Sequence, residues 1–312
     1  MAAQGTRIEL YNGTLKVFTQ VPAAIELCKY FRESYLEKHS ILKSPEATHS
    51  NTPESVRVEA CEDFEKDPRV QGLWKKIINS AGVHSPLSYA CWDRVRLRIQ
   101  QSDGGYDNVS NELNSTGRFS STLPLHRDTW ASNVMQQLNW WTPLLPIDKD
   151  RTLAIYPNFF EKPVPNTSQQ WSMKELKNHR KKNAPYPQLP MFDVNCNVVG
   201  LEPMQKEDKD AFFQELHEDA QPILISPGDV IVFSGAHLHG SVVNKTGKTR
   251  FSTELRTVDA LDVTEERHAR NIDGHSPGVQ YKWFESIGEL GEDEGIDKGV
   301  RLDRLVEKIK TT

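Results

Sequence analysis

Residues 228–250 read GDVIVFSGAHLHGSVVNKTGKTR, and FSTELRTV (251–258) continues them. The run DVIVF (229–233) is short, apolar and rich in β-branched and aromatic residues, the composition of a buried strand. Asn244 to Gly247 offers a four-residue turn, with polar side chains and a glycine suited to a chain reversal. Folding the stretch about that turn predicts a hairpin. In it Val243 faces Lys248, Ser241 faces Arg250 and His239 faces Ser252. Side chains two apart on a strand share a face, so His239, Ser241, Arg250 and Ser252 fall on one side. Leu238, Val242, Phe251 and Leu255 fall on the other. The pattern alone leaves two arrangements open: the polar face meets solvent, or it lines the inside of a barrel.

Working outward, residues 20–82 carry helical patterns. PAAIELCKYFRESYLEKH has apolar residues at 24, 25, 27, 30, 31 and 35, near a 3.6 period, and DPRVQGLWKKIINSAG starts on an Asp-Pro cap and ends on a glycine. From about residue 89 the texture changes, and Val95 to Ile99 alternate as a strand does. A Gly/Asn/Ser-rich loop, long enough to act as a lid, follows at 101–121. Strand-like segments come at 121–128, 133–142 and 151–157. A polar, Pro-rich insertion runs through 158–220, with helical patterns in SMKELKNHRKK and EDKDAFFQELHEDA. PILI (222–225), DVIVFSGAHLHGSVV (229–243) and KTRFSTELRTV (248–258) read as three more strands. The tail DKGVRLDRLVEKIK reads as a helix. There are no internal repeats. This order predicts a mainly β fold with helical additions: a double-stranded β-helix (a jelly roll, cupin-like) buttressed by N- and C-terminal helices. One domain over 1–312 is expected. It has a helical part at about 1–88, a jelly-roll core at 89–260 with the insertion at 158–220, and a helical extension at 261–312.

Of the 312 residues, 37% are hydrophobic and 26% charged, so the chain can bury a sizeable core. Its net charge of −5 and the lack of a basic run exclude nucleic acid as an expected partner. The apolar runs are too short to span a bilayer, so no membrane role is expected. MAAQGTRIELYNGTLKVF carries no signal-peptide pattern and KIKTT no peroxisomal or endoplasmic-reticulum address. Cys28, Cys61, Cys91 and Cys196 lack C-x-x-C spacing and read as reduced thiols. A cytoplasmic protein acting on a small molecule is the expectation, with no oligomeric state assigned.

The chemistry-bearing candidate is His126-Arg127-Asp128, inside LPLHRDTWASNVMQQLNWW (123–141). With 10 histidines and 19 aspartates, about 0.6 His-x-Asp pairs are expected by chance. The chain has two, the other being His217 and Asp219. Residues i and i+2 converge on a strand but sit about 200° apart on a helix. His217 and Asp219 lie in a helical pattern and diverge, so they read as a solvated helix face. His126 and Asp128 can meet on one ion if their segment is extended. A third ligand, His237 or His239, would complete a 2-His-1-carboxylate set, which non-haem Fe(II) oxygenases use. Arg250 carries a rigid fork suited to a carboxylate.

Together, HRD (126–128) and GDVIVFSGAHLHGSVVNKTGKTR (228–250) resemble the phytanoyl-CoA dioxygenase-like branch of the Fe(II)/2-oxoglutarate oxygenases. The resemblance covers roughly 120–257, including RTLAIYP (151–157), and weakens through the insertion. It implies that His126, Asp128 and His239 ligate Fe(II). Arg250 would bind the distal carboxylate of the cosubstrate 2-oxoglutarate, Ser241 would assist it by a hydrogen bond, and Trp141 would line its pocket. His237, the rival ligand, would then pack nearby, against Glu254. Hydroxylation of an unactivated carbon of a small, polar or anionic molecule by O2 would follow, with succinate and CO2 as co-products; desaturation and ring closure use the same site. A carboxylate at Asp128 argues against halogenation, where related enzymes leave that position open. PNFFEKP replaces the family's Pro-Gly-Ser-His turn, which puts the substrate in question. Arg94, Arg96 and Arg98 alternate, and form either a solvated strand face or an anion-binding wall. Trp130, Trp140 and the 101–121 loop could close over such a wall. Two rivals stand beside this function: a cupin-like metal isomerase or 2-oxoglutarate-independent dioxygenase, and a non-catalytic jelly-roll binding protein.

Overall fold

Two antiparallel sheets face one another in the computed structural model, which describes residues 2–39, 41, 52–102, 123–175, 189–193, 205–288 and 299–311. The strands are β1 (Lys16–Phe18), β2 (Ala90–Trp92), β3 (Arg96–Gln100), β4 (Leu138–Pro143), β5 (Leu153–Ile155), β6 (Gln221–Pro222), β7 (Val230–Ser234), β8 (His239–Ser241), β9 (Arg250–Asp259) and β10 (Glu285–Ser286). The major sheet runs β1-β7-β4-β9-β2-β10, with β3 also on β9; the minor sheet runs β6-β5-β8. These are the two halves of a double-stranded β-helix. β9 is ten residues long and organises the major sheet. One edge pairs with β4, and the other pairs first with β3 and then with β2.

The two faces of the major sheet have different coverings. The outer face meets helices α1 (Ala2–Tyr11), α2 (Pro22–Tyr30), α3 (Glu54–Lys66) and α4 (Pro68–Ala81). Leu27, Phe31, Phe64, Trp74 and Ile77 pack there against Trp140, Val230, Val232, Phe251 and Leu255. The caps of α4 match its sequence signals. Asp67 accepts from the Arg69 and Val70 backbone N–H groups, at 2.8 and 3.3 Å, with Pro68 at the first helical position. Gly82 closes the helix at φ +63°, a conformation that favours glycine. The inner face carries Trp141, Ile231 and Phe233 near Leu153 and Ile155 of the minor sheet. It also carries the polar half of β9. The open question of the sequence is thereby answered: Phe251 and Leu255 of β9 pack with the helices, whereas Arg250, Glu254 and Arg256 point into the barrel.

Several expectations change. The stretch 229–243 is two strands in two sheets, not one, because the chain turns at Gly235–Leu238. β8 and β9 are not hairpin partners. β8 pairs with β5, placing Leu153 opposite Ser241 and Ile155 opposite His239. The Asn244–Gly247 segment does turn, with the Asn244 side chain bonded to the Lys248 carbonyl at 2.7 Å, but it carries the chain from one sheet to the other. Within 123–128 only His126 makes a strand-like bridge, to His239. β4 begins at Leu138 rather than near 133, because Thr129–Ser132 forms a helical turn ending at Asn133 with φ +51°. PILI contributes only the two-residue β6 at its border. The 1–88 part is not purely helical, since β1 pairs with β7 at one edge of the major sheet. The 101–121 loop from 103 on, and Cys196, lie outside the described residues. Helices α5 (Lys206–Asp219), α6 (Ala260–Thr264) and α7 (Leu302–Thr311) follow later in the chain. Among the described residues, no helix is long and apolar enough to cross a membrane.

Candidate functional site

His126 comes from the segment that crosses β8. Its backbone N–H donates to His239 O at 2.8 Å, and the His239 N–H donates back to His126 O at 2.9 Å. Gly240 permits this crossing, because a Cβ there would lie 3.2 Å from Leu125 Cα. The two imidazole rings consequently stand 4.3 Å apart, centroid to centroid. Asp128 follows at the start of the helical turn. His126 Nε2 lies 3.8 Å from Asp128 Oδ1, and His239 Nε2 lies 3.8 Å from Asp128 Oδ2. One ligand atom from each of the three residues falls within 4.8 Å of the others.

The donor set fits a divalent transition metal. His126 Nδ1 lies 2.8 Å from Pro124 O, and His239 Nδ1 lies 2.9 Å from His237 O. A carbonyl only accepts, so both protons belong on Nδ1, and both Nε2 lone pairs are presented to one point. Burial, then the neighbouring His126, pushes His239 down to about 4, which keeps the ring neutral. Burial alone would raise the Asp128 carboxyl; Arg256 above all, then His239, His126 and Arg96, overrule it and hold it well below the usual carboxylate range.

Arg127 faces away from this set and holds the segment in place. It pairs with Asp273 at 3.1 Å and donates to the carbonyls of Ala236, Phe159 and Lys162. The last two belong to the PNFFEKP turn, so the arginine between the two candidate ligands stitches the divergent turn to them. His237 does not contact Glu254. Its ring nitrogens lie 3.1 Å from Ser234 O and 3.1 Å from Gly13 O, directed at the N-terminal turn and away from Asp128.

Arg250 reaches the cavity from β9, and Ser241 from β8. Arg250 Nη2 donates to Ser241 Oγ at 3.4 Å, and its Cζ lies 6.0 Å from the Trp141 ring centroid. The predicted trio therefore does meet, although from facing sheets rather than across a hairpin. Arg250 is 4% exposed, and its Nε and Nη1 are buried with no hydrogen-bond partner among the described residues. Burial lowers its pKa to about 10, so it stays charged at neutral pH. A buried cation with two idle donors is costly unless a ligand supplies acceptors. A carboxylate is the matching group.

A cavity of about 580 Å³ joins these residues. Arg94, Arg96 and Arg98 line it and are not a solvated strand face. Arg96 pairs with Asp93 at 2.6 Å, Arg98 with Glu254 at 2.6 Å and Arg94 with Glu65 at 3.7 Å. Trp130 and Trp140 are both fully buried and do not act as a lid. Their indole N–H groups donate inward, to Asp273 and Thr257. His217 and Asp219 lie on α5, His217 exposed and Asp219 buried, where Asp219 accepts from the Asn158 N–H at 2.9 Å.

Two residues missed in the sequence hold Asp128. Asn139 Nδ2 donates to Oδ2 at 2.6 Å, and Arg256 Nη1 to Oδ1 at 3.3 Å. Asp93 in turn anchors Arg256 Nε at 2.6 Å. The period of two along β9 could have flagged Arg256, six residues after Arg250 on the same face. Asn139 carried no comparable signal.

No family model and no curated protein matches the chain. Among solved structures it is similar to EvdO2 from Micromonospora carbonacea var. aurantiaca, at 13% identity over 81% of this chain and 90% of that one, with a TM-score of 0.46. It is also similar to EctD from S. alaskensis with bound Fe, at 14% identity, 89% and 82% coverage, and a TM-score of 0.40. A third is the apo form of the non-heme monooxygenase ThoJ, at 13% identity, 81% and 77% coverage, and a TM-score of 0.40. The phytanoyl-CoA dioxygenase-like resemblance rests on the motif residues alone.

Proposed function

We propose that the chain is an Fe(II)- and 2-oxoglutarate-dependent oxygenase that hydroxylates a small, polar or anionic molecule. The observation that carries this is Arg250, buried with two idle N–H donors in the cavity that also holds His126, Asp128 and His239. Those three residues would hold Fe(II). Arg250 would receive the distal carboxylate of 2-oxoglutarate in two parallel hydrogen bonds, with Ser241 fixing the far side of the guanidinium. Trp141, Leu153 and Phe233 would keep water from that end of the cavity. Bound together, Fe(II) and 2-oxoglutarate couple decarboxylation of the keto acid to insertion of one oxygen atom of O2 into a substrate C–H bond, leaving succinate and CO2. Asn139 and Arg256 keep Asp128 oriented throughout, and the Nδ1–H bonds keep both imidazoles in the ligating tautomer.

The test is to titrate 2-oxoglutarate into anaerobic, Fe(II)-loaded protein and watch for the weak visible charge-transfer band of a chelated keto acid. Wild type is expected to show the band, Arg250→Ala to weaken it and His239→Ala to abolish it. No band in folded, iron-loaded wild type sinks the cosubstrate assignment. Metal binding without the band would favour a cupin-like isomerase, and no metal binding a non-catalytic binding module.

A further inference from the structure

A second idle donor borders the same cavity. Trp171, at the end of a short 3-10 turn (Ser168–Gln170), is 3% exposed, lines the cavity, and its buried Nε1–H has no hydrogen-bond partner among the described residues. An indole nitrogen can only donate, and buried Trp N–H groups ordinarily find an acceptor. Lys282 and Trp283 also line the cavity, from the turn Tyr281–Trp283. Lys282 is exposed, and among the described residues it has no hydrogen-bond or ion-pair partner. The segment that leads into the second turn is bonded to the first turn and to the helical turn at 129–132. The His275 N–H donates to Ser168 Oγ at 2.9 Å, Ser276 Oγ to Ser168 O at 3.1 Å, and the Gln280 N–H to Ser132 O at 2.8 Å.

This end of the cavity is separate from Arg250. The Trp283 ring sits 5.9 Å from Arg256 Cζ. Arg256 lies six residues beyond Arg250 on β9, roughly 20 Å along a strand. Charge at this end is unbalanced. Arg96 pairs with Asp93, Arg256 with Asp93 and Asp128, and Arg94 with Glu65, which leaves Lys282 as the cation at this end with no carboxylate partner among the described residues. We infer that this end is a subsite for an organic oxyanion, a carboxylate or a phosphate monoester with an apolar body. Lys282 and the Trp171 N–H grip the oxygens, and Trp283 packs against the body. Only the name "substrate" for this ligand rests on the oxygenase reading. The grip itself does not.

The experiment uses the full chain, metal-free in chelator, and measures binding of phenylacetate and phenyl phosphate by calorimetry, with benzyl alcohol and benzylamine as controls. One or both acids are expected to bind saturably at one site, and both controls at least tenfold more weakly. Lys282→Met and Trp171→Phe should each weaken the acids about tenfold, the loss expected for one charge-assisted or buried hydrogen bond. Arg250→Met should leave the acids within twofold. Which acid binds tighter distinguishes carboxylate from phosphate. The proposal is overturned if neither acid binds, if alcohol and acid bind alike, or if Arg250→Met abolishes binding while Lys282→Met leaves it intact. Lys282 is exposed, so its variant decides the matter even where Trp171→Phe fails to fold. Acid binding without a keto-acid band in iron-loaded protein sinks the oxygenase reading and keeps the subsite. The band without acid binding does the reverse.

Discussion

Arg250 is held at a cost, because its buried Nε and Nη1 have no hydrogen-bond partner among the described residues. Arg250→Met should therefore leave stability in urea unchanged or raise it by about 1 kcal/mol in metal-free protein. The same change should weaken 2-oxoglutarate binding to iron-loaded protein by at least about 100-fold, since a bidentate charge-assisted pair is lost. A stability loss of about 3 kcal/mol in the urea melt would mean that the guanidinium is paired for structural reasons, and would remove the argument for a ligand. Asn139 offers a second residue-level test. It donates to Asp128 at 2.6 Å and is itself held by Gln137 at 3.0 Å. Asn139→Ala should cost about 10- to 100-fold in Mn(II) affinity, measured by calorimetry, the usual effect of losing a group that orients a ligand. Unchanged affinity would show that Arg256 alone holds the carboxylate.

At the scale of elements, the crossing of residues 123–126 over β8 brings the site together. Ser241 N–H donates to Leu123 O at 2.9 Å, and Leu123 N–H donates to Ser241 Oγ at 3.3 Å. Gly240 lies under this crossing, and its missing Cβ would meet backbone atoms, which cannot swing aside as a side-chain tip can. Gly240→Ala is expected to cost about 1–3 kcal/mol through overpacking and to weaken metal binding, because the paired backbones of His126 and His239 must separate. Gly72 provides the contrast. It lies within α4, where an added Cβ would meet nothing within 4 Å. Gly72→Ala should raise stability by about 0.5–1 kcal/mol and leave metal binding alone. Urea melts of the two variants side by side check both, and equal effects would contradict the crossing as the tight point.

At the scale of the whole molecule, a buried polar cluster ties the first helix to the end of β9. Arg7 pairs with Asp262 and with Asp259 at 3.1 Å, Tyr11 donates to Asp262 at 2.8 Å, and His84 lies 3.3 Å from Asp259. Burial alone would raise the Asp259 carboxyl. His84, Arg7 and the Leu261 N–H overrule it and hold it below its ordinary value. A carboxyl whose folded pKa is depressed contributes stability above its unfolded pKa, about 3.9, and that contribution is lost as pH falls through the folded value. Asp259→Asn should therefore be destabilised most at pH 7, with the deficit shrinking below about pH 4 as wild-type Asp259 takes up its proton. Urea melts at pH 7 and pH 3 read this directly, and the same deficit at both would exclude the linkage.

What is local or periodic was legible in the chain before it folded. Asp67-Pro68 and Gly82 bound a helix because caps act within one turn. His126 and Asp128 were separable from His217 and Asp219 because the angle between i and i+2 depends only on local conformation. Arg250 and Ser241 stood out by their place in a motif. Which strand pairs with which emerges on folding, since pairing is a contest among distant partners that hydrophobic alternation does not resolve. The hairpin of β8 and β9 satisfied every local rule, yet β8 is claimed by β5 and by the His126 segment. The same holds for the faces of β9. Alternation separates polar from apolar side chains, but the packing of Phe31 and Trp74 against one side is what turns Arg250, Glu254 and Arg256 inward. Asn139 and Asp93 take their places beside Asp128 and Arg256 only through contacts made across that interior.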